Sequence, residues 1–152
     1  MPEDLTNPQN IYGLSKVAGE NAIQEHAKSY LILRTSGVYG EHGNNFLKTM
    51  LKLGRTKSEI SIVSDQVGSP TYTGDIAKAI ARICLSQKDE KFPEGIYHYA
   101  GLESCSWFTF AEEIFNAMHL IDPSFKIPNL KPILSEINSE ENKEIKNTTA
   151  YT

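Results

Sequence analysis

A short, almost continuous apolar segment follows a helix-like pattern early in the chain, and this order limits the possible folds most strongly. The segment runs from Tyr30 to Thr35, and the pattern before it repeats apolar residues at helical spacing from about Asn10 to Lys28. Continuous apolar strands are typical of parallel sheets, whose strands are covered on both faces. A helix with a short connection to such a strand is half of an α/β unit. The sequence therefore predicts an α/β fold in which this strand is buried on both faces.

The chain then alternates between helical and extended patterns as far as about residue 135. We expect further strands at residues 59–64, 96–100 and 131–135, and loops at residues 36–44 and 65–73. Asn44 and Thr73 are suited to capping the next two helices. In the last helix, Thr109 and Glu112 could form a capping box, or Ser106 could be the cap. The first of these helices should end near Gly54 and the second near Ser86. The chain beyond Glu136 is polar and weakly patterned, so we expect it to be mobile.

The apolar residues of the predicted helices fall on stripes that we expect to face inward. In the first helix they are Ile11, Leu14, Ala18 and Ala22, and in the helix after Thr73 they are Ile76, Ala79, Ile80 and Ile83. Cys84 lies beside the second stripe and should be packed with it, and Trp107 and Phe110 are expected in the core rather than at a ligand. Arg34, at a strand end, could pair with a phosphate or form a structural ion pair.

Composition excludes several classes of function. A chain of 152 residues can bury one real core. Its net charge of −4 does not indicate nucleic-acid binding. It has no apolar stretch of about 18 residues that would span a membrane. Its two cysteines and four histidines lack the spacing of a metal site or a disulfide framework. We therefore expect a reduced cytoplasmic protein without a structural metal.

One pair of residues on the first helix has a chemical use. Tyr12 and Lys16 are four residues apart, so on a helix they share a face. A cation beside a phenol favours the phenolate and lowers its pKa, and such a pair can exchange a proton with a substrate oxygen. The lysine could also hold the hydroxyls of a nucleotide. The same spacing also occurs by chance on exposed helices, so the pair alone leaves both interpretations open.

Several motifs in one order resemble the dTDP-4-dehydrorhamnose reductase family of extended short-chain dehydrogenases. The first is Pro8-x-Asn10-x-Tyr12-Gly13-x-Ser15-Lys16-x-x-Gly19-Glu20, the pattern of the active-site helix in that family. The others are Leu33-Arg34-Thr35-Ser36-x-Val38-Tyr39-Gly40, Gly43-x-Asn45-Phe46, Asp65-Gln66-x-Gly68-Ser69-Pro70-Thr71-Tyr72, and Ser106-Trp107 with Phe110-Ala111. The match runs from residue 3 to about residue 135.

The resemblance implies an enzyme that reduces the 4-keto group of dTDP-4-dehydro-L-rhamnose with NADPH or NADH. Tyr12 would give a proton to the developing alkoxide, and Lys16 would assist it and bind the nicotinamide ribose. The resemblance further implies cofactor contacts from Tyr12, Lys16, Ser36, Gly37 and Val38. It implies substrate contacts from Gly37, Asn45, Gln66, Gly68, Pro70 and Thr71.

The chain departs from the family pattern in two ways. Gly37 stands where the family usually has Trp, so a contact surface for the sugar is missing. The Gly-rich dinucleotide-binding half of a Rossmann-like reductase is also absent. We therefore expect residues 1–135 to form the C-terminal, substrate-binding half and residues 136–152 to form a tail. We also expect a separate N-terminal half or self-association. A non-catalytic nucleotide-sugar-binding or regulatory subunit is the alternative to an enzyme.

Overall fold

The computed structural model of the protein describes residue 2, residues 4–86 and residues 94–135. In chain order the elements are α1 (Ile11–His26), β1 (Leu31–Arg34), β2 (Val38–Tyr39), α2 (Phe46–Thr56), β3 (Glu59–Val63), β4 (Val67–Gly68), β5 (Thr71–Tyr72), α3 (Thr73–Leu85), β6 (Gly95–His98), β7 (Cys105–Ser106), α4 (Trp107–Ile121) and β8 (Asn129–Ile133). Helices alternate with strands, and three strand pairs are parallel, β1 with β6, β2 with β5 and β3 with β8. The predicted α/β class is thereby confirmed. The tail predicted at residues 136–152 lies outside the described residues.

The first of two compact units contains Met1–Thr35 and Ile76–Tyr99. Its described part holds α1, β1, most of α3 and β6, and β1 runs parallel to β6 with Leu31 opposite Gly95. The prediction that β1 is buried on both faces is wrong, since all four of its residues are only half-buried. Among the described residues β1 has one hydrogen-bonded neighbour, so this two-stranded sheet is too narrow to bury it.

The helices of the first unit also differ from the predicted burial. Neither α1 nor α3 has a buried residue, although both carry the predicted apolar stripes. Ile11 is 85% exposed and Leu14 is 55% exposed. Cys84 is exposed as well, so its predicted packing is wrong. Apolar spacing predicts which face of a helix can be covered, but the described residues supply no surface that covers this face.

The second unit contains Ser36–Asp75 and Ala100–Thr152, and its described part has a core. That core is formed by six buried apolar side chains, Met50, Ile60, Ile62, Ala111, Ile114 and Phe115. They come from α2, β3 and α4, and β3 pairs in parallel with β8 along its whole length. Burial of such side chains from water is the main source of stability in a small α/β layer structure.

Helix boundaries show which local signals were reliable. Of the two caps considered for α4, Ser106 is the one observed, because its Oγ accepts a hydrogen bond from the Thr109 amide at 3.0 Å. Asn45 caps α2 in place of the predicted Asn44, and its Oδ1 accepts from the Lys48 amide at 3.1 Å. Thr73 is the first residue of α3 and not its cap.

Helix α2 continues through Gly54 to Thr56, beyond its predicted end. A Cβ at Gly54 would overlap the Phe115 ring, so the glycine allows close helix packing and does not end the helix. The predicted loops 36–44 and 65–73 contain the two-residue strands β2, β4 and β5, which are too short to show a period. No helix in the described ranges has both the length and the apolar character needed to cross a lipid bilayer.

Candidate functional site

The Tyr12–Lys16 pair lies on one face of α1, as the spacing predicts. Asn10 begins this helix, since its Oδ1 accepts from the Gly13 amide at 2.7 Å. The Lys16 Nζ lies 5.2 Å from the centroid of the Tyr12 ring, within the range of a cation–π contact. The Tyr12 side chain is 41% exposed. The first unit therefore presents a phenol and an ammonium group together at a surface that a ligand can reach.

Arg34 forms a structural ion pair, which decides between the two roles considered for it. Its Nε and Nη2 donate to the two carboxylate oxygens of Glu20 at 2.9 and 2.7 Å. These hydrogen bonds lower the pKa of Glu20 and raise the pKa of Arg34. A bidentate pair of this kind occupies the planar face that a phosphate would use. Arg34 therefore joins α1 to β1 and is not presented to a ligand.

The second unit contains a cavity of about 440 Å³. Its lining comes from the loop after β1, from the segment that includes β4, and from β7 with the start of α4: Ser36, Gly37, Gln66, Val67, Gly68, Ser69, Pro70, Cys105, Ser106, Trp107 and Phe110. None of these lining residues is charged. The cavity thus offers hydroxyl, amide and backbone groups beside an aromatic surface.

The wall at Gly37 is built from closely packed backbone. Gly37 has a φ of 56°, a left-handed conformation that favours glycine, and a Cβ there would lie 3.0 Å from the Ser69 carbonyl oxygen and 3.2 Å from the Pro70 Cα. The Thr71 amide donates to the Gly37 carbonyl at 3.0 Å. Two constraints, conformation and space, therefore disfavour a side chain at position 37 with this backbone.

Thr71 fixes the same wall from inside. Its side chain is 2% exposed, and its Oγ1 donates to the Ser36 carbonyl at 2.6 Å while accepting from the Gly101 amide at 3.1 Å. Its second carbonyl contact is with Ser69 at 2.9 Å. A buried hydroxyl with this many partners positions the backbone around the cavity and has little capacity left for a ligand.

Another part of the lining is aromatic. Trp107 is the first residue of α4, and its amide donates to the Gln66 carbonyl at 3.3 Å. The ring of Phe46 lies 4.7 Å from that of Trp107 and 5.5 Å from that of Phe110, measured between centroids. The antiparallel pairing of β4 with β7 holds Gly68 opposite Cys105. Burial and two nearby carboxylates, Glu103 and Glu113, raise the pKa of the Cys105 thiol, so it is mainly protonated at neutral pH.

The structure brings together only part of the predicted site. Five predicted residues line the cavity, namely Ser36, Gly37, Gln66, Gly68 and Pro70. Thr71 supports it from behind, and Val38 is exposed and does not line it. Asn45 is buried and uses both ends of its amide, capping α2 and donating to the Gly40 carbonyl at 2.7 Å. Ligand contacts by any of these residues stay predictions.

Sequence reasoning assigned Trp107 and Phe110 to the core, considered Ser106 only as a helix cap and part of a family motif, and did not single out Cys105. The two rings do pack against the core, and they also line the cavity. Their spacing of three residues at the start of a capped helix was the available signal, because it places both rings on one face. Periodicity alone does not separate a core face from a cavity wall.

Comparisons with known proteins agree with the motifs. The family model "RmlD substrate binding domain" matches residues 1–149. Over 112 residues the chain is 47% identical to the spore coat polysaccharide biosynthesis protein SpsK of Bacillus subtilis, covering 74% of this chain and 38% of that protein. It is 42% identical over 116 residues to the dTDP-4-dehydrorhamnose reductase of Aggregatibacter actinomycetemcomitans, covering 74% of this chain and 39% of that protein.

A solved structure shows the same relationship in three dimensions. The chain superimposes on the dTDP-4-dehydrorhamnose reductase of Bacillus anthracis, determined in complex with NADP, with a TM-score of 0.79 and 41% identity. The superposition covers 90% of this chain and 45% of that enzyme. The matched region therefore spans less than half the length of each of these three relatives.

Proposed function

Because the chain belongs to the RmlD substrate binding domain family, we propose that it forms the substrate-binding and Tyr/Lys part of a dTDP-4-dehydrorhamnose reductase. The reaction is reduction of the 4-keto group of dTDP-4-dehydro-L-rhamnose with NADPH or NADH. The observation that carries this proposal is the contact of Lys16 with the Tyr12 ring on an accessible face of α1. Residues 1–135 form this part in our proposal, and a cytoplasmic location stays a prediction.

In the proposed reaction the chain's own residues handle the proton. Tyr12 donates its hydroxyl proton to the oxygen that becomes the C4 hydroxyl, and Lys16 keeps positive charge beside the phenol as it becomes phenolate. The nicotinamide cofactor, when bound, supplies the hydride. The Lys16 ammonium of the first unit can donate to ribose hydroxyls. Cofactor contacts from Ser36, Gly37 and Val38 of the second unit stay predictions.

The cavity of the second unit serves the nucleotide sugar in this proposal. Gln66, Gly68, Pro70 and Gly37 line it, and Gln66 supplies a side-chain amide. Asn45 and Thr71 act mainly by holding the backbone, since their polar groups already have partners in the protein.

Exposed apolar side chains on α1 support the expectation that another protein surface covers this helix. Ile11 and Leu14 are the clearest cases. The partner in our proposal is the dinucleotide-binding part of a reductase or a second copy of this chain. Such a covering surface would bury the stripe that the described residues leave open.

A non-catalytic nucleotide-sugar-binding or regulatory subunit is the second candidate. One observation favours this candidate. All the residues that line the cavity belong to the second unit, whereas Tyr12 and Lys16 belong to the first. Binding at this cavity therefore has no requirement for the Tyr/Lys pair.

A chimeric reductase separates the two candidates. The chain replaces the matched segment of the Bacillus anthracis enzyme, and NADPH oxidation is followed with and without the keto sugar. The reductase proposal expects oxidation that depends on the sugar. A folded chimera that binds the dTDP-sugar without oxidising NADPH would favour the binding subunit instead.

A further inference from the structure

A carboxylate lies within reach of the Lys16 ammonium group. Glu20 follows Lys16 by four residues on α1, so Tyr12, Lys16 and Glu20 fall on one face of that helix. A lysine and a glutamate at this spacing attract each other across a helix surface. Lys16 is also the only lysine or arginine within α1. Unless another group holds it, Glu20 would therefore compete with the Tyr12 ring for the ammonium group.

Arg34 of β1 holds the Glu20 carboxylate. Both carboxylate oxygens accept hydrogen bonds from the guanidinium group, at 2.9 Å from Nε and 2.7 Å from Nη2. The side chains of Arg34 and Glu20 are only 24% and 18% exposed, so the pair is largely withdrawn from solvent. The hydrogen bonds from Arg34 lower the pKa of Glu20, and His98, opposite Arg34 on β6, acts in the same direction. The carboxylate is thus ionised at neutral pH and is bound by a cation from another element.

Lys16 is left to the phenol by this arrangement. Glu20 is ion-paired with Arg34 and not with Lys16, and the Lys16 Nζ lies 5.2 Å from the centroid of the Tyr12 ring. All four residues belong to the first unit. The guanidinium group therefore serves the carboxylate, and the ammonium group serves the phenol.

We propose that Arg34 is a positioning residue for Tyr12, because by binding Glu20 it keeps the Lys16 ammonium group available to the phenol. Without the guanidinium group, the half-buried carboxylate is an unpaired charge and takes Lys16 as its partner, so the cation leaves the ring. Arg34 acts through Glu20 and Lys16 and does not itself touch substrate or cofactor. The consequence for catalysis rests on the proposed function, whereas the consequence for the contact between Lys16 and Tyr12 does not.

NMR spectroscopy of the 152-residue chain with labelled lysine measures this contact directly. An aromatic ring shields protons above its face, so the ε-methylene resonances of Lys16 should be displaced upfield, and Tyr12→Leu should abolish the displacement. Arg34→Met should remove most of the displacement. Adding Glu20→Gln to Arg34→Met should restore it, because no carboxylate is then left to bind the ammonium group.

Two further variants separate this role from a structural one. Arg82→Met makes the same substitution at an exposed arginine of α3 in the first unit and should leave the Lys16 resonances unchanged. Glu20→Gln alone should also keep the displacement. If Glu20→Gln removed the displacement as Arg34→Met does, and the double variant did not restore it, the ion pair would only hold α1 in place and the proposal would be overturned.

A second substitution and a second measurement apply if Arg34→Met fails to fold. Arg34→Gln removes the same charge but keeps one donor toward Glu20, and it should reduce the displacement in the same direction. Lys16→Ala needs no change at Arg34. It should leave the titration of the Glu20 carboxyl unchanged, since Arg34 and His98 are the cations that act on Glu20. A higher titration midpoint in Lys16→Ala would show that Lys16 already pairs with Glu20, which contradicts the proposal.

The chimeric reductase gives the consequence for catalysis. Arg34→Met should lower kcat for NADPH oxidation about tenfold with little change in KM, which lies within the range of a cation–π contact, and the double variant should recover to within about twofold of the parent. Lys16 resonances that respond as expected, combined with a chimera that does not oxidise NADPH, would refute the proposed reduction and leave the role of Arg34 standing. Resonances that do not respond to Arg34→Met would overturn this inference and leave the proposed reduction untouched.

Discussion

The ammonium nitrogen of Lys16 lies 5.2 Å from the centroid of the Tyr12 ring, one helical turn away on α1. The ammonium group is thus close to the negative face of a phenol that is itself 41% exposed. A cation in this position stabilises negative charge that develops on the ring oxygen during proton transfer. Proton donation by Tyr12 in the proposed reaction depends on this contact.

The ion pair between Glu20 and Arg34 should make the stability of the chain depend on pH. Arg34 lowers the pKa of Glu20 below its ordinary 4.5. The stabilisation is therefore fully present above about pH 4.5 and is lost as the pH falls through the lowered folded-state pKa. Glu20→Gln should reduce the free energy of unfolding at pH 7 by about 1 kcal/mol. Urea denaturation at pH 7 and in acid measures this difference, which should shrink in acid.

Glu25→Gln is the control for that measurement. Glu25 lies on the same helix, its side chain is 74% exposed, and its one ion-pair contact is with His26 at 3.9 Å. It should change stability little at either pH. An equal effect of the two substitutions would contradict a specific role for the Glu20–Arg34 pair.

Gly37→Ala should destabilise the chain more than Gly43→Ala does. Both glycines have positive φ, 56° and 70°, so each alanine costs about 1–2 kcal/mol for a left-handed conformation. At Gly43 no atom lies within 4 Å of a new Cβ, whereas at Gly37 the Cβ crowds the Ser69–Pro70 backbone. Urea denaturation gives the free energy of unfolding of both variants, and the difference between their losses measures the cost of crowding at Gly37. Equal losses would show that the backbone at Pro70 moves aside easily.

Asn45→Ala should lower stability by about 1–2 kcal/mol, because it removes the cap of α2 and the hydrogen bond to the Gly40 carbonyl. Asn45→Asp should cost less, since a carboxylate still caps the helix but cannot donate to Gly40. Thermal or urea unfolding gives both values. Under conditions where each variant is folded, its affinity for the dTDP-sugar should equal that of the wild-type chain. A loss of affinity in a folded variant would show that Asn45 contacts the ligand.

The two cysteines allow a test of cavity occupancy. Cys105 lines the cavity and its thiol has a raised pKa, whereas Cys84 is exposed and lies outside the cavity lining. The thiolate is the reactive form, so iodoacetamide should modify Cys105 slowly at pH 7 and faster as the pH rises. Mass spectrometry should show that dTDP-L-rhamnose slows modification of Cys105 alone. Protection of neither cysteine under saturating ligand would place the ligand elsewhere.

Local chemistry in the sequence predicted more of this structure than burial did. The α1 helix, the parallel β1 strand and the Ser106 cap follow from capping residues and apolar spacing, which act over a few residues. Asn45 also donates to the Gly40 carbonyl five residues earlier, and capping preference alone does not distinguish it from Asn44. The exposure of Ile11 on α1 likewise depends on which surfaces are available to cover a stripe, and spacing does not encode that.

The candidate site was predicted to a similar extent. The motif from Gln66 to Pro70 lines the cavity, and Gly37 was recognised as unusual, but the ligand contacts of these residues stay predictions. The positive φ that favours glycine there occurs where its backbone packs against Ser69 and Pro70, and the Trp107 amide is held by the Gln66 carbonyl, both contacts between segments distant in the chain. Long-range packing of this kind decides whether an aromatic residue lies in a core or on a cavity wall.

The most direct measurement compares Tyr12→Phe with Tyr97→Phe in the chimeric reductase, as the rate of NADPH oxidation with dTDP-4-dehydro-L-rhamnose. Both tyrosines belong to the first unit and both are 41% exposed, so the two variants remove the same atom from equally accessible rings. We predict that Tyr12→Phe lowers kcat by about 10²–10⁴, the usual contribution of a positioned proton donor. Tyr97→Phe should leave kcat unchanged. A Tyr12→Phe enzyme that kept its kcat within about twofold would contradict the assignment of Tyr12 as the proton donor.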